Sequence, residues 1–358
     1  MRLANETPTG KGRCQPHRDG CVSPDSGARI LFALVVATGW FLGACNSRSP
    51  QQPTEVPTVT VSGRILDAID AQPIAAARIA LRDSQVSVTA NMDGSFVLSV
   101  PDSTTTRIAI TAPGYWTRTT RIDPAGANRV EIDLLPDGKG FNLPFFNYVF
   151  RGTCQGQPST GGTARWLTQP TFEVWQSEFK CDSLQGLFCT ATHATGRAAP
   201  EAFLSAVSTV LADDVSQLTG GFVSGALVRY RQFGVGTRIQ YGSGATIDGV
   251  ITIAYIEDDG NFLSLGAANA QGVLGISSGY VQVHGLEGIT GLTSHEIAHA
   301  LGYNHPCGGE QVPLPSIMQR AGRPTDADRL HGRILYRRQP GSLNPDSDSD
   351  TVTINSAK

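Results

Sequence analysis

Charge is scarce in this sequence and shows no bias toward one sign. Asp, Glu, Lys and Arg make up 16% of the 358 residues, below the roughly 25% of a typical soluble domain. The formal net charge is −3, so the chain offers no basic stripe, which argues against nucleic acid as a partner. The apolar run at 30–42 is too short for a comfortable transmembrane helix, which needs about 20 residues.

Glycine and apolar residues, in contrast, are abundant. The chain contains 40 Gly and 21 Pro, and 40% of its residues are hydrophobic. A chain of this length exceeds the usual size of one domain, so we expect two folded units with tails. The profile favours a loop-rich, β-rich exported protein over a helical cytosolic one.

The apolar run 30–42 follows Arg29 and has the length of a signal-peptide core. It ends in Leu42-Gly43-Ala44-Cys45, which resembles the lipobox of bacterial lipoproteins, where cleavage before the Cys leaves a thiol to be acylated. The resemblance implies a signal peptide at 1–45 and a lipid anchor on Cys45. It places the exported protein on a membrane of the bacterial cell envelope, at the outer membrane or the cell surface. The alternative is an ordinary signal peptide with a Cys there by chance.

Four cysteines remain beyond the lipobox. Their even number in an exported chain indicates two disulfides, and three pairings are open. We favour Cys181–Cys189, which closes a short local loop, together with Cys154–Cys307.

The region after the lipobox begins with a linker and continues with short strands. Residues 46–57 contain three Pro and no apolar periodicity, which predicts a tether. Alternating runs separated by turn signals then predict a small antiparallel β-sandwich at 58–136. The runs include Val61-Ser62-Gly63-Arg64-Ile65, Asp93-Gly94-Ser95-Phe96 and Ala112-Pro113-Gly114-Tyr115. They resemble the carboxypeptidase regulatory-like domain, a transthyretin-like sandwich, and this implies a structural or spacer module.

A second unit is predicted at 137–340, and the Asp- and Ser-rich tail at 341–358 is expected to be disordered. The order of helices and strands in this unit favours an α+β fold or a three-layer α/β/α fold. Its predicted elements are a helix at 200–218, strands at 247–256 and 280–284, and a last helix at 326–336 with Thr325 as N-cap.

Three histidines in this unit have the spacing of a metal site. His295 and His299 are four residues apart, so on a helix both imidazoles face one side and reach a single ion. Glu296 lies roughly 100° around that helix, beside the metal but outside its ligand set. Gly302 permits a left-handed conformation that ends the helix, and His305 then approaches the ion from another side. Three His ligands leave one position open for water, as in a catalytic zinc site.

The full pattern H-E-x-x-H-x-x-G-x-x-H, followed by Ser316-Ile317-Met318-Gln319, resembles the signature and Met-turn of the metzincin zinc metalloproteases. The likeness is greatest to bacterial matrixin-like proteases. It implies a zincin-like fold, one catalytic Zn²⁺ and a protein or peptide substrate. It assigns Glu296 as general base for a zinc-activated water and places Met318 beneath the histidines. The strand at 279–283 is expected to be an edge strand that pairs with substrate.

One departure from the family concerns Arg320. It stands where astacins and serralysins carry a zinc-binding Tyr, so a tyrosine switch is not expected.

Several alternatives stay open at this stage. The acidic stretch 257–261 fits either a Ca²⁺ loop or, in our preferred interpretation, a solvated turn. His193, His284 and His331 are expected to be packed or surface residues, with substrate contact by His284 as the alternative. Besides an extracellular endopeptidase, the chain could be a non-catalytic zinc-binding surface module. It could also be a zinc hydrolase of small amides or cell-wall peptide.

Overall fold

The computed structural model of the protein describes residues 57–102, 105–124, 129–152, 162–241, 247–257, 263–270, 275–306 and 312–354. The signal peptide, the lipobox, the linker up to residue 56 and the pair Cys154–Cys307 lie outside the described residues, as does all of the acidic stretch except Glu257. Within the described part, no helix is long and apolar enough to cross a membrane.

The first part of the described chain is a β-sandwich. Along its strands buried and exposed side chains alternate, because successive residues of a strand face opposite sides of the sheet. One sheet has the order β4-β1-β7, and the other contains β6-β5-β2-β3. The strands are β1 (Thr58–Asp67), β2 (Arg78–Leu81), β3 (Ser87–Thr89), β4 (Ser95–Pro101), β5 (Thr106–Thr111), β6 (Arg118–Ile122) and β7 (Val130–Leu134).

The predicted antiparallel pairing holds for most of the sandwich but not for all of it. Strand β7 pairs parallel to β1, with Gly63 opposite Val130 and Asp67 opposite Leu134. Because β7 arrives from β6 in the opposite sheet, the connection crosses between sheets, and no tight hairpin turn imposes an antiparallel direction.

The prediction of a disordered tail is wrong for residues 341–354. This segment forms β15 (Ser342–Leu343) and β16 (Ser347–Asp348), which extend the sandwich sheet beside β6. The acidic residues that suggested solvation are buried as counter-ions. Asp348 accepts a hydrogen bond of 2.8 Å from Arg118, and Asp346 pairs with Arg338. The sandwich therefore includes the C-terminal segment. The domain boundary predicted at residue 340 does not mark the end of the folded part, because the segment after it pairs with β6.

In its described residues, the region between sandwich and tail is a mixed sheet with four helices. The sheet order is β11-β9-β8-β12-β14-β13, with β10 also paired to β8. β12 is buried along its whole length, as expected for a central parallel strand covered on both faces. The strands are β8 (Thr171–Gln185), β9 (Phe188–Ala198), β10 (Val228–Arg231), β11 (Arg238–Gln240), β12 (Val250–Ile256), β13 (Leu265–Ala270) and β14 (Ile276–His284). The helices are α1 (Leu143–Phe150), α2 (Glu201–Leu218), α3 (Ile289–Ala300) and α4 (Asp326–Arg337).

The described helices share one large core with one face of this sheet. Side chains of β8 and β12 that point to this face, such as Phe172 and Ile253, lie in the same apolar cluster as residues of all four helices. The opposite face carries a smaller cluster around Trp175 and Phe179, to which no described helix contributes. The α+β prediction therefore fits the described residues, and the three-layer form is wrong for them, because the described helices all pack on one face of the sheet.

Local signals account for the helix ends. Pro200 precedes α2 and needs no backbone N–H there, and Thr325 forms a reciprocal capping box with Asp328 at the start of α4. Both ends lie within one residue of the sequence prediction.

The buried pairing of the tail gives a testable expectation for stability. Replacing Asp348 with Ala leaves the buried Arg118 guanidinium without this counter-ion, which should lower the free energy of unfolding by about 3–5 kcal/mol. Chemical denaturation of the purified protein measures the change.

A matched control is Asp350→Ala, two residues away. Its carboxylate is 70% exposed and pairs with a part-exposed Arg107, so the expected loss is about 0–1 kcal/mol. Equal losses in the two variants would contradict the buried pairing.

The same pairing predicts a dependence on pH. Although burial raises the pKa of Asp348, Arg118 and Arg338 bring it below its usual value. The stabilisation is therefore complete at neutral pH and is lost as the pH falls into the acid range.

Candidate metal centre

Helix α3 and the turn after it bring three histidines together. His295 and His299 lie one turn apart on α3, while Ile297, Ala298 and Leu301 are fully buried in the core and fix the helix in place. The chain then turns at Gly302, whose φ is +100°. A Cβ at this position would lie 2.4 Å from the Ala164 carbonyl oxygen, so both the conformation and the space require glycine.

The three imidazoles converge as the spacing predicts. Ring centroids are 5.0 Å apart for His295 and His299, 4.9 Å for His295 and His305, and 4.5 Å for His299 and His305. One ring nitrogen of each lies within 4.8 Å of the others, so the triad could hold a metal ion. Across the described residues, this is the one group of three or more such side chains with that geometry.

Each ring is oriented by a backbone carbonyl. The Nδ1 atoms lie 2.6 Å from the Ile317 oxygen for His295, 2.8 Å from the Tyr303 oxygen for His299 and 2.9 Å from the Met318 oxygen for His305. A carbonyl only accepts, so each Nδ1 carries the proton and each Nε2 presents a lone pair. This is the outer support found around histidine ligands of metals.

The resulting arrangement fits a cation. The Nε2 atoms of His299 and His305 are only 3.0 Å apart. If both Nδ1 atoms are protonated, neither Nε2 can donate to the other, and the two lone pairs repel. A positive ion shared by the three nitrogens removes this repulsion, so the donor set fits a metal.

Burial keeps two of these histidines in the neutral form that can bind a metal. Desolvation and the other two histidines lower the pKa of His299 to about 3, and the pKa of His295 is also lowered, mainly by desolvation. Both rings are therefore uncharged at neutral pH, and no proton has to leave before an ion binds.

Glu296 lies beside this cluster and is not part of it. Its side chain belongs to a residue only 5% exposed, and burial raises the carboxyl pKa to about 7, against the effect of a hydrogen bond from the Gly266 backbone N–H. A carboxyl in this environment can exchange a proton near neutral pH. A cation on the adjacent histidines would favour its ionised form.

Strand β13 lies directly beside Glu296, and the sequence did not predict a strand there. The predicted edge strand at 279–283 lies within β14, which pairs with β12 on one side and β13 on the other, so that prediction is wrong. Among the described residues, no strand pairs with the outer edge of β13. This reversal was not predictable from β propensity, because β13 has only weak β-type residues.

Gly266 explains how β13 comes so close to α3. A Cβ there would lie 1.9 Å from the Glu296 carbonyl oxygen, so only glycine allows this contact. A glycine inside a strand often marks such a close backbone approach, and that signal could have identified it.

Asp328 supports the turn that carries Met318. This fully buried carboxylate accepts hydrogen bonds from the Ser316 hydroxyl at 2.7 Å and from the Ile317 N–H at 2.9 Å. It also accepts from the backbone and side chain of Thr325. Asp328 thus fixes the segment whose carbonyls orient His295 and His305. The side chain of Met318 is buried in the large apolar core.

Tyr303, for which the sequence predicts no role, orients the imidazole of His299. Its carbonyl accepts from His299, while its buried hydroxyl donates to the Leu218 carbonyl oxygen at 2.7 Å. An edge-on contact with Phe150 at 4.6 Å completes the environment of its ring. The position of His299 therefore depends on packing between α1, α2 and α3.

The other predicted residues lie apart from the histidine cluster. His193 pairs with Asp182 at 2.5 Å, and His284 is buried in the sheet. His331 accepts a hydrogen bond of 2.9 Å from the Asn142 N–H, and burial lowers its pKa to about 4. The structure contains the disulfide Cys181–Cys189 within the β8–β9 hairpin.

Comparisons with known proteins cover the two regions unequally. Residues 60–135 match the family model of the carboxypeptidase regulatory-like domain. A search of curated proteins found no match. The chain is similar to the solved structure of metalloproteinase-II from Bacteroides fragilis, at 12% identity over 76% of this chain and 84% of that chain. The TM-score is 0.27, so the histidine site is interpreted from its own geometry.

The tight contact at Gly266 can be tested by adding one methyl group. Gly266→Ala should push β13 away from α3 and lower the free energy of unfolding by about 1–3 kcal/mol. Hydrogen exchange should rise in β13 and α3 and stay unchanged in the sandwich. Gly234→Ala is the control, because its Cβ would meet nothing closer than 3.9 Å. Unchanged exchange in α3 of the Gly266 variant would refute the close approach.

The support from Asp328 predicts an effect on metal affinity. Asp328→Asn replaces an acceptor by an amide that cannot accept all four hydrogen bonds, so affinity for Co²⁺ should fall about 10- to 100-fold. Competition with a chelator measures the affinity. Asp326→Asn changes a fully exposed carboxylate on the same helix and should leave the affinity as it is. Equal affinities in the two variants would mean that the turn is held by other contacts.

Proposed function

We propose that the protein is a zinc-dependent metalloendopeptidase of the metzincin type, with His295, His299 and His305 as ligands and Glu296 as general base. One observation carries the proposal. Three nitrogen lone pairs converge on one point, while a buried carboxylate stands next to them outside the ligand set. That separation of metal ligands from an acid–base group is what hydrolysis of an amide needs.

Zinc is the metal that this donor set favours. Imidazole nitrogens bind zinc and other late transition metals, and three protein ligands with an open fourth position are typical of catalytic zinc sites. When bound, zinc supplies Lewis acidity, which lowers the pKa of water toward about 7 and polarises a carbonyl group.

The protein's own groups then perform the proton transfers. A Glu296 carboxylate oxygen accepts a proton from the attacking water and later delivers it to the leaving amine. The three carbonyls hold the imidazoles so that no ring has to reorient.

Extended peptide is the substrate class that the surroundings favour. The outer edge of β13 offers backbone groups for an added strand, directly beside Glu296. A cavity of about 940 Å³ adjoins the site, with His305, Ile317 and Arg320 in its lining. A small amide would use neither feature, and this favours an endopeptidase over the alternatives.

We also propose that the protein is exported and lipid-anchored through Cys45 to the bacterial cell envelope. The short apolar run and the lipobox-like sequence support this proposal. The Cys181–Cys189 disulfide is consistent with an oxidising compartment.

A single substitution separates metal binding from hydrolysis. Glu296→Gln keeps the shape of the side chain but cannot accept the proton, so hydrolysis of casein should fall at least about 100-fold. Elemental analysis should still find one zinc per chain, because Glu296 is not a ligand. His305→Ala is the complementary variant and should lose both the zinc and the activity.

Assays of the wild-type protein distinguish a peptidase from a non-catalytic zinc-binding module. Hydrolysis that a chelator abolishes and zinc restores supports the peptidase. A zinc-loaded protein that cleaves neither casein nor a peptide library would refute the proposal and leave a non-catalytic module. Loss of zinc from the Glu296→Gln variant would contradict the role assigned to the carboxylate.

A further inference from the structure

The β8–β9 hairpin ends in an exposed apolar surface close to the candidate substrate strand. Leu184, Leu187 and Phe188 are 46%, 55% and 43% exposed, and Leu263, from the segment before β13, is 55% exposed. We call these four residues the apolar tip. Several large apolar side chains that are exposed to water in one short segment can mark a binding surface.

The hairpin holds the tip in a defined conformation. Gly186 has φ of +62° and begins a two-residue turn, a position that favours glycine. The Cys181–Cys189 disulfide joins the two strands next to the turn, across a sequence separation of 8 residues. A restrained surface loses less conformational entropy when a partner binds, so the tip is prepared to make contacts.

Two hydrogen bonds attach the tip to the strands beside the metal centre. The Leu263 N–H donates to the Leu187 carbonyl oxygen at 2.9 Å. The side-chain amide of Gln282, which is fully buried in β14, donates to the Cys189 carbonyl oxygen at 3.2 Å. The tip is therefore continuous with the N-terminal end of β13.

We propose that the apolar tip determines substrate specificity by binding an apolar side chain of the substrate, about three residues to the C-terminal side of the cleaved bond. The inference rests on the proposed peptidase function and on strand addition at β13. It assigns a selective role to the hairpin, which lies outside the histidine cluster and outside the turn that supports it.

The position follows from strand geometry. Gly266 contacts Glu296, and Leu263 lies three residues before it, at roughly 10 Å for extended chain at about 3.3 Å per residue. Antiparallel pairing is the more stable mode for an added strand. In that mode the substrate runs against β13, so residues that follow the cleaved bond pass the N-terminal end of β13, where the tip lies.

The experiment compares peptides that differ at one position. Cleavage sites are first mapped by mass spectrometry of a peptide-library digest with the wild-type protein. Two fluorogenic peptides are then made around one site, with Leu or Ser as the third residue after the cleaved bond. The wild type should prefer the Leu peptide about 10-fold in kcat/KM, as expected for one apolar side chain in a partly open subsite.

The variant Leu184→Ser/Leu187→Ser/Phe188→Ser removes the apolar surface. It should cleave both peptides at the wild-type rate for the Ser peptide, so that the preference falls below about 2-fold. The single variant Leu187→Ser changes one exposed side chain and should reduce the preference about 3-fold, which keeps the test valid if the triple variant does not fold. Val97→Ser, on the exposed face of the sandwich, is the control and should keep the full preference.

Different results would overturn the specificity role of the tip and the peptidase function. If the triple variant keeps the 10-fold preference, or if its kcat/KM falls by the same factor for both peptides, the tip is not the specificity surface. A wild type that cleaves both peptides equally, or that selects only at the N-terminal side of the bond, overturns the inference and leaves the peptidase intact. A wild type that cleaves no peptide with zinc bound overturns the proposed function itself.

Discussion

Three backbone carbonyls, each accepting a hydrogen bond from one imidazole, determine where the lone pairs of the candidate metal centre point. Because the protons are held on Nδ1, the three Nε2 atoms face one another, and without a cation their closeness would be unfavourable. The chain stabilises this arrangement by fixing the carbonyls rather than the rings. Ile317 and Met318 belong to a turn held by Asp328, and Tyr303 is packed between helices. The geometry of the candidate metal centre is thus a consequence of the surrounding fold.

The same rigidity extends to Glu296, which lies beside the candidate metal centre. Gly266 lets β13 lie directly against α3, which excludes water from Glu296 on that side and gives its carboxylate a backbone partner. Burial raises the carboxyl pKa, and an adjacent cation would lower it, so the two effects oppose each other. Strand β13 has a second consequence, because its outer edge begins where the disulfide-bridged hairpin ends. In the proposed function, β13 would therefore contribute both to catalysis and to the selection of substrate.

The carboxypeptidase regulatory-like sandwich is tied to the rest of the described chain by buried charge. Arg118 of the sandwich pairs with Asp348, which is 230 residues away in sequence, and Arg338 at the end of α4 pairs with Asp346. Burying such pairs contributes little net stability compared with apolar packing, but removing one partner is costly. The arrangement therefore specifies where the C-terminal segment lies. The sandwich sheet is thus completed by strands that lie far from it in sequence.

The sequence alone determined the features that depend on neighbours within one element. The spacing of His295 and His299, the break at Gly302, the alternating strands of the sandwich and the cap at Thr325 all follow from helix or strand periodicity and local backbone preference. Only the tertiary structure decided that β13 and not β14 is the edge among the described strands, that Asp328 and Tyr303 support the carbonyls that orient the histidines, and that acidic residues of the tail are buried. Strand order and charge pairing depend on contacts between residues far apart in the chain. A short window of sequence therefore looks the same whether a strand lies inside a sheet or at its edge, and whether a carboxylate meets water or arginine.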